Sequence, residues 1–228
     1  METPAGEVAP SVLTTGARRA TLLARAALGG VALYLAIDVA LVFLRPQFSV
    51  LHNAESDYGS RGHWAWLMDA DFVIRCLLSI AVVLAISQMA GPLGRLRTGL
   101  ALLSVWAVAS GLLAFFPDDP VGAAQHGAAQ VHLVLAGIAF VAVAVGARVT
   151  TRALRVFPGW RPVIGPLALL SYGAFVPVLL LGHAHLRPHS LGGLYEKVFL
   201  AMELAWFAVA AAWIAKCARE DSNPRPTA

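Results

Sequence analysis

Charge is what this chain has least of. Asp, Glu, Lys and Arg make up 13% of its 228 residues, against about 25% in an ordinary soluble domain. With 58% hydrophobic residues and a mean hydropathy of +0.70, that shortage excludes a soluble globular domain and a disordered chain. It also excludes a nucleic-acid partner, because 17 basic residues against 13 acidic ones is a small surplus that membrane topology accounts for. Cysteine is scarce as well. Cys76 and Cys217 fall at different depths of the topology below, so no mutual disulfide is expected. Ser104, Ser110 and Ser171 lack a Gly-x-Ser-x-Gly context, which excludes a nucleophile elbow. There is no phosphate-binding glycine loop and no Cys-x-x-Cys. The first apolar stretch is longer than a signal-peptide core and has no small-residue cleavage site after it, so it reads as an uncleaved spanning helix.

What is present is a series of long apolar runs. A bilayer core of about 30 Å needs about 20 apolar residues at 1.5 Å each. Six stretches qualify: Leu22 to Leu44, Trp64 to Met89, Gly99 to Phe116, Gly127 to Ala147, Val163 to Gly182 and Tyr195 to Ala215. They are continuous rather than alternating, which favours helices over barrel strands. Breakers mark the connectors: Pro46, Gly91 with Pro92, Pro117 with Pro120, Pro158 with Gly159, and Pro188 with Gly192 and Gly193. The expected fold is all-α, a single bundle of six transmembrane helices over residues 21–216. Polar tails cover residues 1–20 and 217–228.

Orientation follows from the cations. Arg18, Arg19, Arg25, Arg95, Arg97, Arg148, Arg152, Arg155, Arg161, Lys216, Arg219 and Arg225 fall on one side, 12 of 17. Arg45, Arg61, Arg75, Arg187 and Lys197 do not. Both termini are therefore expected in the cytoplasm. Arg outnumbers Lys 15 to 2, a bias of high-GC bacteria, which points to the plasma membrane.

The polar residues gather on the opposite side. All seven histidines lie there: His52, His63, His126, His132, His183, His185 and His189. Counted from the outer helix ends, Asp38 lies about 9 Å deep, Asp71 about 10 Å, Arg75 about 16 Å, His132 about 8 Å and Glu203 about 12 Å. Ionisable groups at such depth cost about 2.5–3.5 kcal/mol each by insertion scales, so they should face the bundle and pair. The expected ligand pocket is lined by Asp38, His63, Asp71, Arg75, His132, Glu196 and Glu203. Asp71 and Arg75, four apart, stack on one face as an ion pair or as an anion or proton site. Asp69 and Asp71, about 200° apart, cannot both point inward, so Asp69 is expected near the interface. Glu196 and Glu203 share a face, with Glu196 at the mouth. His132 shares a stripe with Ala128, Ala136 and Ala139, small residues that suit close packing. Glu203 beside His132 forms either an acid/base pair or an interhelical hydrogen bond. Trp64, Trp66 and Trp160 fit the interfacial aromatic belt.

His183-x-His185-x-x-x-His189 is the densest histidine cluster. With Asp118 and Asp119 it makes a candidate centre for zinc or another divalent metal, read against a merely solvated loop.

Leu51-His-Asn-Ala-Glu-Ser-Asp-Tyr-Gly59, Gly62-His-Trp-Ala-Trp-Leu-Met-Asp-Ala-Asp-Phe72, Phe116-Pro-Asp-Asp-Pro120, His126 with His132, and Gly193-Leu-Tyr-Glu-Lys-Val-Phe199 leading into Leu204-Ala-Trp206 together carry a resemblance. In their order and spacing they resemble a family of six-helix prokaryotic membrane proteins catalogued as domain of unknown function 998, over roughly residues 25 to 216. The resemblance implies six helices and extracytoplasmic polar motifs. It implies no activity.

Two functions fit the residues. One is a non-enzymatic membrane module that binds a ligand, a lipid or a partner in a polar His/acidic pocket open to the extracytoplasmic side. The other is a metal-dependent hydrolase acting on a lipid or lipid-linked substrate at the outer leaflet. The inner half of the bundle is nearly free of polar residues, which counts against a transport path.

Overall fold

The computed structural model describes residues 11–90, 94–119, 127–184 and 190–222. Seven α-helices run through them: α1 (Ser11–Leu44), α2 (Ala65–Ala90), α3 (Gly94–Leu113), α4 (Gly127–Leu154), α5 (Arg161–Gly173), α6 (Phe175–Ala184) and α7 (Gly192–Ser222). They supply six spans long and apolar enough to cross a membrane, α5 and α6 together making the fifth.

The helix ends follow the breakers more closely than the hydropathy. Helix α1 begins at Ser11, within the expected polar tail, because no proline follows Pro10 until Pro46. Helix α4 runs on to Leu154, since the next proline is Pro158. Helix α7 reaches Ser222, past the expected tail boundary at 217, for the same reason. The fifth span was expected to be one helix and is two. Pro177 lies four residues after Gly173. It has no N–H to offer the Gly173 carbonyl, and its ring crowds that position, so the helix breaks there.

The helices close into a ring. Helix α1 packs on α2, α2 on α3, α3 on α4, α4 on α5, and α7 returns against α5, α6, α1 and α2. Close approach depends on small residues. A Cβ on Gly99 would stand 2.8 Å from the Thr150 backbone nitrogen and 3.0 Å from its Cα, and one on Gly146 would stand 3.1 Å from the Leu103 nitrogen. Indole and hydroxyl groups cross-link the helices. Trp106 Nε1 donates to Ser79 Oγ at 3.0 Å, and Trp206 Nε1 donates to Thr151 Oγ1 at 2.9 Å. Arg148 of α4 lies 4.7 Å from the Tyr172 ring centroid and 5.7 Å from that of Phe175, tying α4 to both halves of the broken span.

Large apolar side chains such as Phe43, Phe115, Leu169 and Leu179 face outward, as a lipid-facing belt requires. Inside are two apolar layers. The larger runs through Ala27, Leu78, Val82, Leu103, Val143 and Phe207. The smaller holds Leu41, Tyr58, Met68, Phe72 and Leu113. Along α1, Asp38 falls between Tyr34 of the larger layer and Leu41 of the smaller. Along α2, Arg75 falls between Phe72 and Leu78. A polar stratum is thus sandwiched between apolar ones. Of the residues expected in the aromatic belt, Trp64 and Trp66 are exposed, whereas Trp160 is buried.

Replacing Gly99 with Val should overpack the α3–α4 contact and destabilise the bundle by about 1–3 kcal/mol. Gly137→Ala, where the added methyl meets nothing within 4 Å, should keep stability or raise it by up to about 1 kcal/mol, since alanine is the better helix former. Thermal unfolding of the detergent-purified variants checks both.

Candidate functional site

The polar stratum is assembled on a loop. After α1 the chain turns back into the bundle end, and Glu55, Asp57 and Ser60 are all buried. Local chemistry shapes it. Asn53 Nδ2 and the Ala54 amide both donate to Asp57 Oδ2, at 2.8 and 3.0 Å. That aspartate lies within the short 3-10 turn Ser56–Gly59 and ties it to the residues just before it. Arg45 binds the far side, donating to the Tyr58 carbonyl, to Ser60 O at 2.6 Å and to Arg61 O at 3.4 Å, with its guanidinium 4.8 Å from the Phe48 ring. Desolvation lowers the Arg45 pKa from its ordinary value, and burial raises that of the Tyr58 phenol. Gly62 and Trp64, with φ of +139° and +70°, make the left-handed turn into α2.

Helix α7 locks the loop from above. Leu194 N donates to Leu51 O at 3.0 Å, Lys197 Nζ to Asn53 O at 2.8 Å, and His52 Nδ1 lies 3.0 Å from Ser190 O. Gly193 is needed there, since a Cβ would stand 2.8 Å from the Asn53 nitrogen.

This arrangement carries Glu55 to Arg75. Arg75 Nη1 lies 3.3 Å from Glu55 Oε2, the ion pair among the described residues, and 3.5 Å from the Tyr34 hydroxyl. Tyr34 itself donates to Glu55 Oε1. The guanidinium also lies 5.0 Å from the ring centroids of Phe72 and Trp106, a cation–π setting that suits a buried arginine. The Glu55 amide donates to Glu196 Oε1 at 3.3 Å. Asp38, Glu55 and Asp71 each present a carboxylate oxygen within 4.8 Å of the others. These three could hold a metal ion.

Several sequence expectations meet here and others do not. Asp38, Asp71, Arg75 and Glu196 lie at one end of the bundle, and Asp69 is half-buried while Asp71 is fully buried. The expected partner of Arg75 was Asp71. The structure pairs Arg75 with Glu55, and both Asp71 oxygens have no hydrogen-bond partner. His63 lies outside the pocket: it is exposed and packs edge-on against Trp64, 5.3 Å between ring centroids. His132 is buried, but its Nδ1 binds Phe116 O at 2.6 Å and its ring meets Phe72. Glu203, 1% exposed, has neither oxygen bonded, so the His132–Glu203 pair does not form. Of the expected stripe, Ala139 is buried and Ala128 is exposed.

The loop metal centre is not assembled among the described residues. His183 is exposed, and Asp118 accepts a hydrogen bond from Ser56 Oγ at 2.8 Å. Asp119 is half-buried. His126, His185 and His189 lie outside the described residues.

Glu55 and Tyr34 were missed. Tyr34 had a signal, one turn from Asp38 on the same face of α1. Glu55 had only a weak one, its place between Asn53 and Asp57 in a polar loop.

A double-mutant cycle on Arg75→Met and Glu55→Gln should show a coupling of about 1–3 kcal/mol, the range for groups in one network. The cycle on Arg75→Met and Asp71→Asn should show less. Chemical unfolding in detergent reads both.

The sequence of the polar stratum also has relatives. The family described as "Protein of unknown function (DUF998)" matches residues 27–213. No curated protein and no solved structure matches the chain. The matched stretch begins in α1, ends in α7 and contains every residue of the converging cluster, so the chain belongs to the DUF998 family.

Proposed function

We propose that this chain is a non-enzymatic binding module of the membrane that accepts a small cation in the acidic chamber between α1, α2 and α7. The observation that carries this reading is an excess of carboxyl groups over basic ones. Four acids, Asp38, Glu55, Asp71 and Glu196, meet two basic groups, Arg75 and Lys197. Lys197 stands near enough to act electrostatically on Asp38 and Glu196. A buried carboxyl group in excess of its partners either keeps its proton or yields it to a cation that binds in its place. Asp38, half-buried while Glu55 and Asp71 are fully buried, stands at the rim and gives a way in. The distribution of arginine supports an extracytoplasmic chamber and cytoplasmic termini. No histidine or cysteine among the described residues joins the acidic cluster, so the hydrolase alternative draws no support from it.

The test is tryptophan fluorescence of the full chain in lipid nanodiscs, since Trp106 faces Arg75. Sodium, potassium, methylammonium and calcium chlorides are titrated in turn. At least one should give a saturable change that Asp71→Asn weakens. The reading fails if none saturates. For orientation, a C-terminal alkaline phosphatase fusion should be inactive and a C-terminal fluorescent-protein fusion bright. The reverse pattern would put the chamber on the cytoplasmic side.

A further inference from the structure

We infer that Asp38, Glu55 and Asp71 form a site for a hard divalent cation of calcium size. The assignment rests on the cation-binding reading above and names its cation. The spacing is one argument. The three carboxylate oxygens lie within 4.8 Å of one another. Oxygens bound to one calcium at about 2.3–2.6 Å can stand up to about 5 Å apart, so one calcium can bridge all three, while magnesium, at about 2.0–2.1 Å, would need them within about 4 Å.

Asp71 supplies an independent argument. It is 0% exposed, its fellow carboxylates are its neighbours, and neither of its oxygens has a hydrogen-bond partner. A buried polar group is ordinarily satisfied. Two orphan oxygens on one wholly buried carboxylate, one of them within 4.8 Å of two further carboxylates, offer bidentate capacity. Glu55 keeps acceptor capacity too. Each of its oxygens receives one donor, from Tyr34 and from Arg75, and each carboxylate oxygen has two lone pairs.

Donor type and size narrow the choice. All three ligands are oxygens, and no sulfur or imidazole joins them among the described residues. That donor set suits calcium, magnesium or manganese over zinc or copper. The adjoining cavity, lined by Tyr34, Arg75, Ser79, Trp106, Leu204 and Phe207, measures about 10 Å³, room for about one water.

The experiment is equilibrium binding of radioactive calcium to the full chain in nanodiscs, stripped first with a chelator. One calcium per chain is expected, with magnesium competing weakly. Asp71→Asn, nearly isosteric, should weaken binding at least about tenfold, because ligand charge sets affinity in such sites. If Asp71→Asn elutes as aggregate, Asp38→Asn at the half-buried rim is expected to give the same loss. Undiminished calcium binding by a folded variant would overturn the site. Absence of saturable calcium binding to the wild type, with sodium, potassium or methylammonium still saturating the fluorescence change, would overturn the calcium assignment alone. If none of the four cations binds, both readings fall.

Discussion

A guanidinium held inside hydrocarbon constrains everything around it. Arg75 sits well inside α2 and is 3% exposed, at a depth where an unpaired charge is strongly disfavoured. Its own helix offers Asp71 one turn away, yet the carboxylate that reaches it is Glu55, from the loop. The loop therefore has to enter the bundle end. Entering, it would leave backbone carbonyls without water. Arg45 takes those of Tyr58 and Ser60, Lys197 takes that of Asn53, and Leu194 takes that of Leu51. Gly193 permits the contact by having no side chain. One buried charge thus explains a folded-in loop, a clasping arginine and a glycine at the start of α7.

The same geometry leaves this end of the bundle over-supplied with carboxyl groups. Once Glu55 is committed to Arg75 and Tyr34, Asp71 has no hydrogen-bond partner, and Asp38 and Glu196 add to the excess. Elsewhere the interior is largely apolar, with neutral pairs such as Trp206 with Thr151 and the unbonded carboxyl group of Glu203.

The fifth span shows how local chemistry overrides a hydropathic reading. Its residues are apolar enough to cross a membrane as one piece, but Pro177 separates α5 from α6. Met202 of α7 packs against the break, where a Cβ on Gly173 would stand 2.5 Å from its Cε. Small residues again decide how closely helices approach.

The spans and their number were legible in the sequence because bilayer crossing depends on hydrophobicity summed over about 20 consecutive residues, a local property. That Asp69 and Asp71 would not both point inward was legible too, since helical periodicity decides it. That Asp38, Asp71, Arg75, His132 and Glu203 should turn inward followed from depth, because each would be unfavourable facing lipid. The partner of each group did not. His132 and Glu203 lie at similar depths, but a pair also needs matching rotations of α4 and α7 about their axes. Nearly uniform apolar helices do not specify those rotations. Glu55 became the partner of Arg75 through contacts between residues far apart in the chain, Asn53 with Gly193 and Lys197 above all. Depth and periodicity belong to the sequence. Azimuth and loop placement exist only once the helices have packed.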